Sequence, residues 1–270
     1  MLNQDSGAPT GASSSLEISG VGLAKEFRTK DGLNVALEPT DFTIRPGEFV
    51  SFVGPSGCGK STLMLMVAGL LEPTSGHVQI NGVPLSEPLT DVGIVFQDDL
   101  LLDFRTAKDN ILMQGRIRHL PRAQQQARTD ELMTNLGVDD AKNRYPNQLS
   151  GGMRQRVSIA RALVHEPSVL LMDEPFGALD ALTRAQMRVD LERLWLDRPK
   201  SVLFITHSVE EAVGLSDRVL VMGPSPGSIV EEITIELPRP RPVQVGDEAA
   251  FAGYAGQIYG IFKKLGVLHD

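Results

Sequence analysis

The stretch from Glu48 to Leu71 leaves this chain few ways to fold. Glu48-Phe49-Val50-Ser51-Phe52-Val53 has the β-branched and aromatic content of a buried strand. Gly54-Pro55-Ser56-Gly57-Cys58-Gly59-Lys60-Ser61-Thr62 then fits the spacing G-x-x-x-x-G-K-[ST] without a mismatch. Ser61 to Leu71 follows as a run rich in Leu, Met and Ala with no Pro, which predicts a helix. Strand, glycine loop and helix in that order make an anion site. Glycines let backbone N–H groups turn onto phosphate oxygens, and the helix amino end adds its positive dipole. Lys60 can reach the β- and γ-phosphates of a nucleoside triphosphate, and the Ser61 hydroxyl can ligate Mg²⁺.

Two further stretches carry the same chemistry. Val169-Leu170-Leu171-Met172-Asp173-Glu174 is an apolar strand ending in two carboxylates. Ligands of open parallel sheets sit beyond the carboxyl ends of the strands, which puts Asp173 beside the crevice of Lys60. There Asp173 can hold Mg²⁺ through its water shell, and Glu174 can orient or deprotonate an attacking water. A pair of solvated acids at a strand end would be the plainer account, and it loses to the phosphate loop upstream. In Leu149-Ser150-Gly151-Gly152-Met153-Arg154-Gln155-Arg156 a second glycine turn feeds a second helix. Ser150 is a natural N-cap, while Gly151 and Gly152 expose backbone N–H groups to a ligand.

Around these motifs, residues 16–52 alternate as short strands, and strand patterns recur at 77–82, 91–96, 168–172, 201–206 and 218–222. Helical spacing occupies 105–165 and 180–196. Apolar strands alternating with helices imply a parallel sheet covered on both faces. Leu237-Pro238-Arg239-Pro240-Arg241-Pro242 lacks an N–H at every second residue and is expected to be an extended linker. Phe251 to Leu265 is expected to be a terminal helix. Residues 1–15, rich in Ser, Gly, Ala and Thr with no positive charge and no apolar core fit for secretion, read as a disordered lead-in.

In this order the motifs resemble the ATP-binding subunit of an ATP-binding cassette (ABC) transporter. The resemblance rests on 54–62, 149–155 and 169–174, with Gln97 after a strand, Ala178-Leu179-Asp180 past Glu174, and Thr206-His207 at another strand end. It covers about 16–237 and implies a P-loop α/β core with a parallel sheet, an N-terminal antiparallel β-subdomain and an inserted α-helical subdomain near 98–165. The segment 238–270 would be a Pro-rich linker and C-terminal helix.

The resemblance also implies roles. Phe27 would stack on adenine. Gln97 would ligate Mg²⁺ or position water, its loop sensing the membrane partner. Ser150, Gly151 and Gly152 would contact the γ-phosphate bound to a second copy, Asp180 would lie at the seam between copies, and His207 would hydrogen-bond the γ-phosphate. ATP and Mg²⁺ would be the cofactors. A second copy and membrane permease subunits would be the partners, with a solute-binding protein acting indirectly.

Local runs at 95–102, 217–230 and 237–241 resemble the nitrate/sulfonate/taurine uptake group. That group usually has a Pro-aromatic pair where this chain has Asp103-Phe104, and Asp where it has Ser208.

Composition narrows the alternatives. A formal net charge of -8 argues against a nucleic-acid binder, and so against a soluble cassette ATPase acting on nucleic acid or ribosomes. Glu174 and His207 argue against a cassette without turnover. One cysteine, Cys58, excludes an intrachain disulfide, suits a reducing compartment and reads as a small filler of the loop. The longest apolar run, Leu63 to Leu71, falls short of the roughly 20 residues that span a bilayer, so the expected location is the cytoplasmic face of the inner membrane, held through partners.

Overall fold

The structure, a computed structural model, describes residues 15–30, 32–241 and 248–268. The lead-in read over 1–15 lies outside them except for Ser15, as does Pro242. In chain order the elements are β1 (Ile18–Thr29), β2 (Gly32–Ile44), β3 (Phe49–Val53), α1 (Lys60–Val67), β4 (Ser75–Ile80), β5 (Val83–Pro84) and β6 (Val92–Val95). There follow α2 (Ala107–Ile117), α3 (Arg122–Asn135), α4 (Gly151–Leu163), β7 (Val169–Asp173), α5 (Ala181–Asp197) and β8 (Ser201–Thr206). The chain closes with α6 (Val209–Leu215), β9 (Arg218–Met222), β10 (Ile229–Thr234) and α7 (Glu248–Lys264).

Two sheets result. A six-stranded sheet runs β10-β9-β3-β8-β7-β6, parallel except for β10. A four-stranded antiparallel sheet runs β2-β1-β4-β5. The interior strands of the first sheet are wholly buried and split their side chains by the two-residue period of a strand. Leu170, Met172, Val202 and Phe204 join α2, α4 and α5 in one core. Val169, Leu171, Leu203 and Ile205 join α1 and the antiparallel sheet in another. A third core closes β9, β10 and α6 under Ile258 and Phe262 of α7.

Three stretches differ from the sequence reading. The helix expected to Leu71 ends at Val67, because Gly69 takes the left-handed conformation (φ 70). Its N–H bonds to Met66 and that of Leu70 to Leu65, the paired bonds of a Schellman ending. The sheet also gains the edge strand β10, joined to β9 by a turn rather than a helix, so it is mixed and not all parallel.

The Pro-rich segment is no loose spacer. Arg239 lies over the Trp195 ring at 4.5 Å and pairs with Glu192 and Asp217, both at 2.9 Å. Buried Arg241 donates to the carbonyls of Val213 (2.9 Å) and Ser216 (2.7 Å). Guanidinium groups supply the donors that the prolines lack.

Candidate nucleotide crevice

Parallel register sets which side chains meet at one sheet edge. Val53, the last residue of β3, pairs with Thr206 of β8, and Asp173 at the end of β7 pairs with Ile205. The loop 54–59, the pair Asp173-Glu174 and the pair Thr206-His207 therefore emerge side by side.

The loop is shaped by close neighbours. Gly59 has φ 89, and a Cβ there would collide with the Ala36 carbonyl of β2. At Gly54 a Cβ would lie 2.9 Å from the Met222 carbonyl of β9. Gly227 touches the Cys58 carbonyl and hydrogen-bonds to Ala36, bracing the loop from a third side. Ser56 and Gly57 stay exposed at the tip, while Pro55 and Thr62 are half-buried. Cys58 is fully buried, and burial pushes its thiol above the ordinary value, so it packs as an apolar filler and not as a thiolate.

Lys60 is 4% exposed, and its ammonium folds back on the loop, donating to the Gly54 and Pro55 carbonyls, each at 2.8 Å. A buried ammonium held by neutral carbonyls is half-compensated, and phosphate oxygens would be stronger acceptors.

Asp173 is buried, and its carboxyl is raised above its ordinary value chiefly by desolvation. The Ser61 side chain opposes that rise, Glu174 adds to it, and Lys60 lowers it. Hydroxyl and carboxylate are both hard oxygen donors. Among the described residues no three acids, histidines or cysteines cluster as a protein cage for a metal. Ser61 and Asp173 could supply oxygen ligands to a hard divalent cation that keeps water and phosphate ligands.

Glu174 has φ 43, a left-handed backbone that a non-glycine residue adopts only where its surroundings impose it. Its N–H bonds to the Ile205 carbonyl, which holds that geometry. Its Oε2 lies 3.0 Å from Nδ1 of His207, a half-exposed ring. A carboxylate only accepts, so the proton between them sits on Nδ1 and the other ring nitrogen is left for a ligand. Behind His207, Thr206 donates to buried Glu211 at 2.6 Å and accepts from the Ser208 N–H at 2.9 Å. Ser208 caps α6, accepting from Glu211 N at 3.2 Å, so the family's usual Asp is replaced by another good cap. The buried Thr206–Glu211 contact carried no sequence signal.

The other singled-out residues stand around this edge or apart from it. Phe27 is 37% exposed, with the Lys25 ammonium 5.3 Å from its ring. Its register partner Asn34 is two residues along β2 from Ala36, whose carbonyl lies against Gly59 of the loop. Gln97 is exposed in the segment after β6. That segment is bolted to α4, with Arg154 donating to Asp99 at 2.9 Å and Arg161 to the Asp99 and Leu100 carbonyls at 2.7 Å. Ser150 and Gly151 are exposed at the amino end of α4, where the Ser150 hydroxyl accepts from Met153 N at 3.3 Å. A Cβ on Gly152 would lie 2.9 Å from Thr183, so this end packs on α5. Asp180 caps α5, accepting from Leu182 N (3.1 Å), Thr183 N (3.0 Å) and the Thr183 hydroxyl (2.7 Å). Those bonds, the Thr183 hydroxyl first, hold its carboxyl below the usual range.

Fold and crevice define a phosphate-loop nucleoside triphosphatase. A family profile described as ABC transporter covers residues 37–177. The nitrate import ATP-binding protein NrtD of Synechococcus elongatus is 42% identical over 82% of this chain and 81% of that protein. The taurine import ATP-binding protein TauB of Rhizobium johnstonii is 45% identical over 82% of this chain and 84% of that protein. Among solved structures, the dimeric structure of MJ0796, a bacterial ABC transporter cassette, superposes with a TM-score of 0.74 at 30% identity, over 82% of this chain and 99% of that one. The chain belongs to the ABC transporter family and is one of its ATP-hydrolysing cassettes.

Proposed function

We propose that this chain is the ATPase of an importer for a small anion or sulfonate, working as two copies beneath a membrane permease that receives its solute from a binding protein. The observation that carries the catalytic part is the meeting of Lys60, buried Asp173 and the Glu174–His207 pair at one edge of the parallel sheet. The import role and the substrate class rest on the relatives named for nitrate and taurine. The described residues contain no helix long and apolar enough to cross a membrane, so translocation falls to another subunit.

In this reading the N–H groups of 54–62 cradle the phosphates of ATP and Lys60 turns from its two carbonyls to the β- and γ-phosphates. Phe27 offers its face to adenine. Ser61, Asp173 and Gln97 hold Mg²⁺, directly or through water. When bound, Mg²⁺ draws charge from the phosphate oxygens. Glu174 takes the proton of the attacking water, and His207 holds Glu174 in place until the γ-phosphate offers its ring a second partner. The exposed end of α4, with Ser150, Gly151 and Gly152, closes over the ATP of the other copy, with Asp180 at the seam. The exposed Leu100 and Phe104, beside the Gln97 loop, give the permease an apolar foothold.

Glu174→Gln tests the base. It keeps ATP affinity and lowers turnover by about 10²–10⁴, or roughly 2.7–5.4 kcal/mol of barrier. Turnover within threefold of the parent would remove Glu174 from that role.

A further inference from the structure

Away from the crevice, α2 and α3 border an open cavity of about 710 Å³ whose lining includes Lys108, Asp109, Arg116, His119, Arg122 and Gln125. Three cations, Lys108, Arg116 and Arg122, line it with one carboxylate, Asp109, and a second, Asp130, holds Lys108 from beside it, in a chain whose formal net charge is -8. Two of those cations are engaged only by exposed acids. Lys108 pairs with Asp130 at 2.7 Å and Arg116 with Asp109 at 3.1 Å, the acids being 54% and 38% exposed. Such pairs contribute little, so an arriving anion exchanges with them at small cost. Arg122 has no ion pair among the described residues. The two helices approach closely beside the cavity, where a Cβ on Gly115 would lie 2.6 Å from the Gln125 side chain. Guanidinium forks, an ammonium and an amide in one concavity suit a ligand with several oxygens and more than one negative charge.

We propose that the α2–α3 cavity binds a small polyvalent oxyanion, of phosphate-ester or polycarboxylate type, at a site separate from the nucleotide crevice. The site is tied to the segment before α4: Ala107 N donates to the Arg144 carbonyl at 2.8 Å and Lys108 N to that of Lys142 at 3.1 Å. An occupant of the cavity thus steadies the chain that leads into Ser150. The inference does not depend on the imported solute.

The test uses the full chain saturated with Mg-ADP, so that the phosphate loop is filled. Glycerol phosphate and citrate are added separately against sodium chloride of equal ionic strength, and melting and calorimetric titration are recorded for the parent and for the double variant Arg116→Gln/Arg122→Gln. Both arginines are exposed, so the variant folds, and its own melting point without anion verifies this. At roughly ten times the dissociation constant, at least one probe raises the parent's melting temperature by about 2–4 °C, and the shift disappears in the variant. The probe that acts assigns the ligand to phosphate or carboxylate chemistry. Equal shifts in parent and variant, or no shift and no heat with either probe, would overturn the proposal.

Discussion

The amino ends of α1 and α4 both carry glycines, yet they differ. At α1 the cap is Gly59 in a left-handed conformation, with no side-chain cap. Three neighbours press on its loop, namely Ala36, Met222 and Gly227, and its lysine is buried against its own carbonyls. At α4 the cap is an ordinary serine and the glycines are exposed. The first end is a finished cradle. The second is a capped helix tip that presents N–H groups outward and packs on α5 rather than on the cradle. In the proposed reading the cradle binds by itself, whereas the outward tip would complete the site of a second copy.

That contrast can be broken by substitution. Lys60→Ala acts on the cradle and has the largest expected effect: ATP affinity and turnover both fall by 100-fold or more, on the order of 3 kcal/mol, in a nucleotide titration and a phosphate-release assay. Unchanged affinity would mean that the phosphates sit elsewhere. Ser150→Arg acts on the tip. It leaves the affinity of a single copy within about twofold while abolishing turnover, and a lost affinity would place Ser150 in the same copy's cradle.

Away from both ends, Arg239→Ala strips a partner from Glu192, which is 2% exposed, and uncovers Trp195. A broken buried pair costs about 3 kcal/mol, visible in the urea midpoint with no change in the Michaelis constant for ATP. An unchanged midpoint would make the Pro-rich strap dispensable.

Asp173→Asn has the smallest effect on stability, and its sign is fixed. The folded carboxyl is raised above 3.8 by burial, so the folded state binds its proton more readily than the unfolded chain. The stability this contributes is present below about 3.8 and is lost as pH rises through the raised folded value. At neutral pH the ligand-free Asn variant should melt slightly higher than the parent while losing Mg²⁺-dependent turnover. A lower melting point at pH 7 would show that the carboxylate is stabilising where it stands.

Much of this was legible in the chain itself. Strands β3, β7, β8 and β9 announce themselves because burial on both faces demands unbroken apolar runs, as in Val169-Leu170-Leu171-Met172. Strand β10 does not, since Glu231 and Glu232 interrupt it and an edge strand tolerates them. The extended run of 237–241 is legible and its anchoring is not, because alternate prolines signal what the backbone cannot bond, while the side-chain donors of Arg239 and Arg241 are invisible until their acceptors are placed. In the site, glycine spacing and strand-end acids name the residues. Their contacts are long-range in sequence, as with Glu174 to His207, and only the parallel register brings them together.

The most direct test is the mass of the Glu174→Gln chain in solution, measured by light scattering with and without Mg-ATP, alone and carrying Ser150→Arg. The account predicts a monomer without nucleotide, a doubled mass with Mg-ATP, and no doubling once Ser150 is replaced. A chain that binds Mg-ATP and stays monomeric, or one that doubles equally well with Arg at position 150, would contradict it.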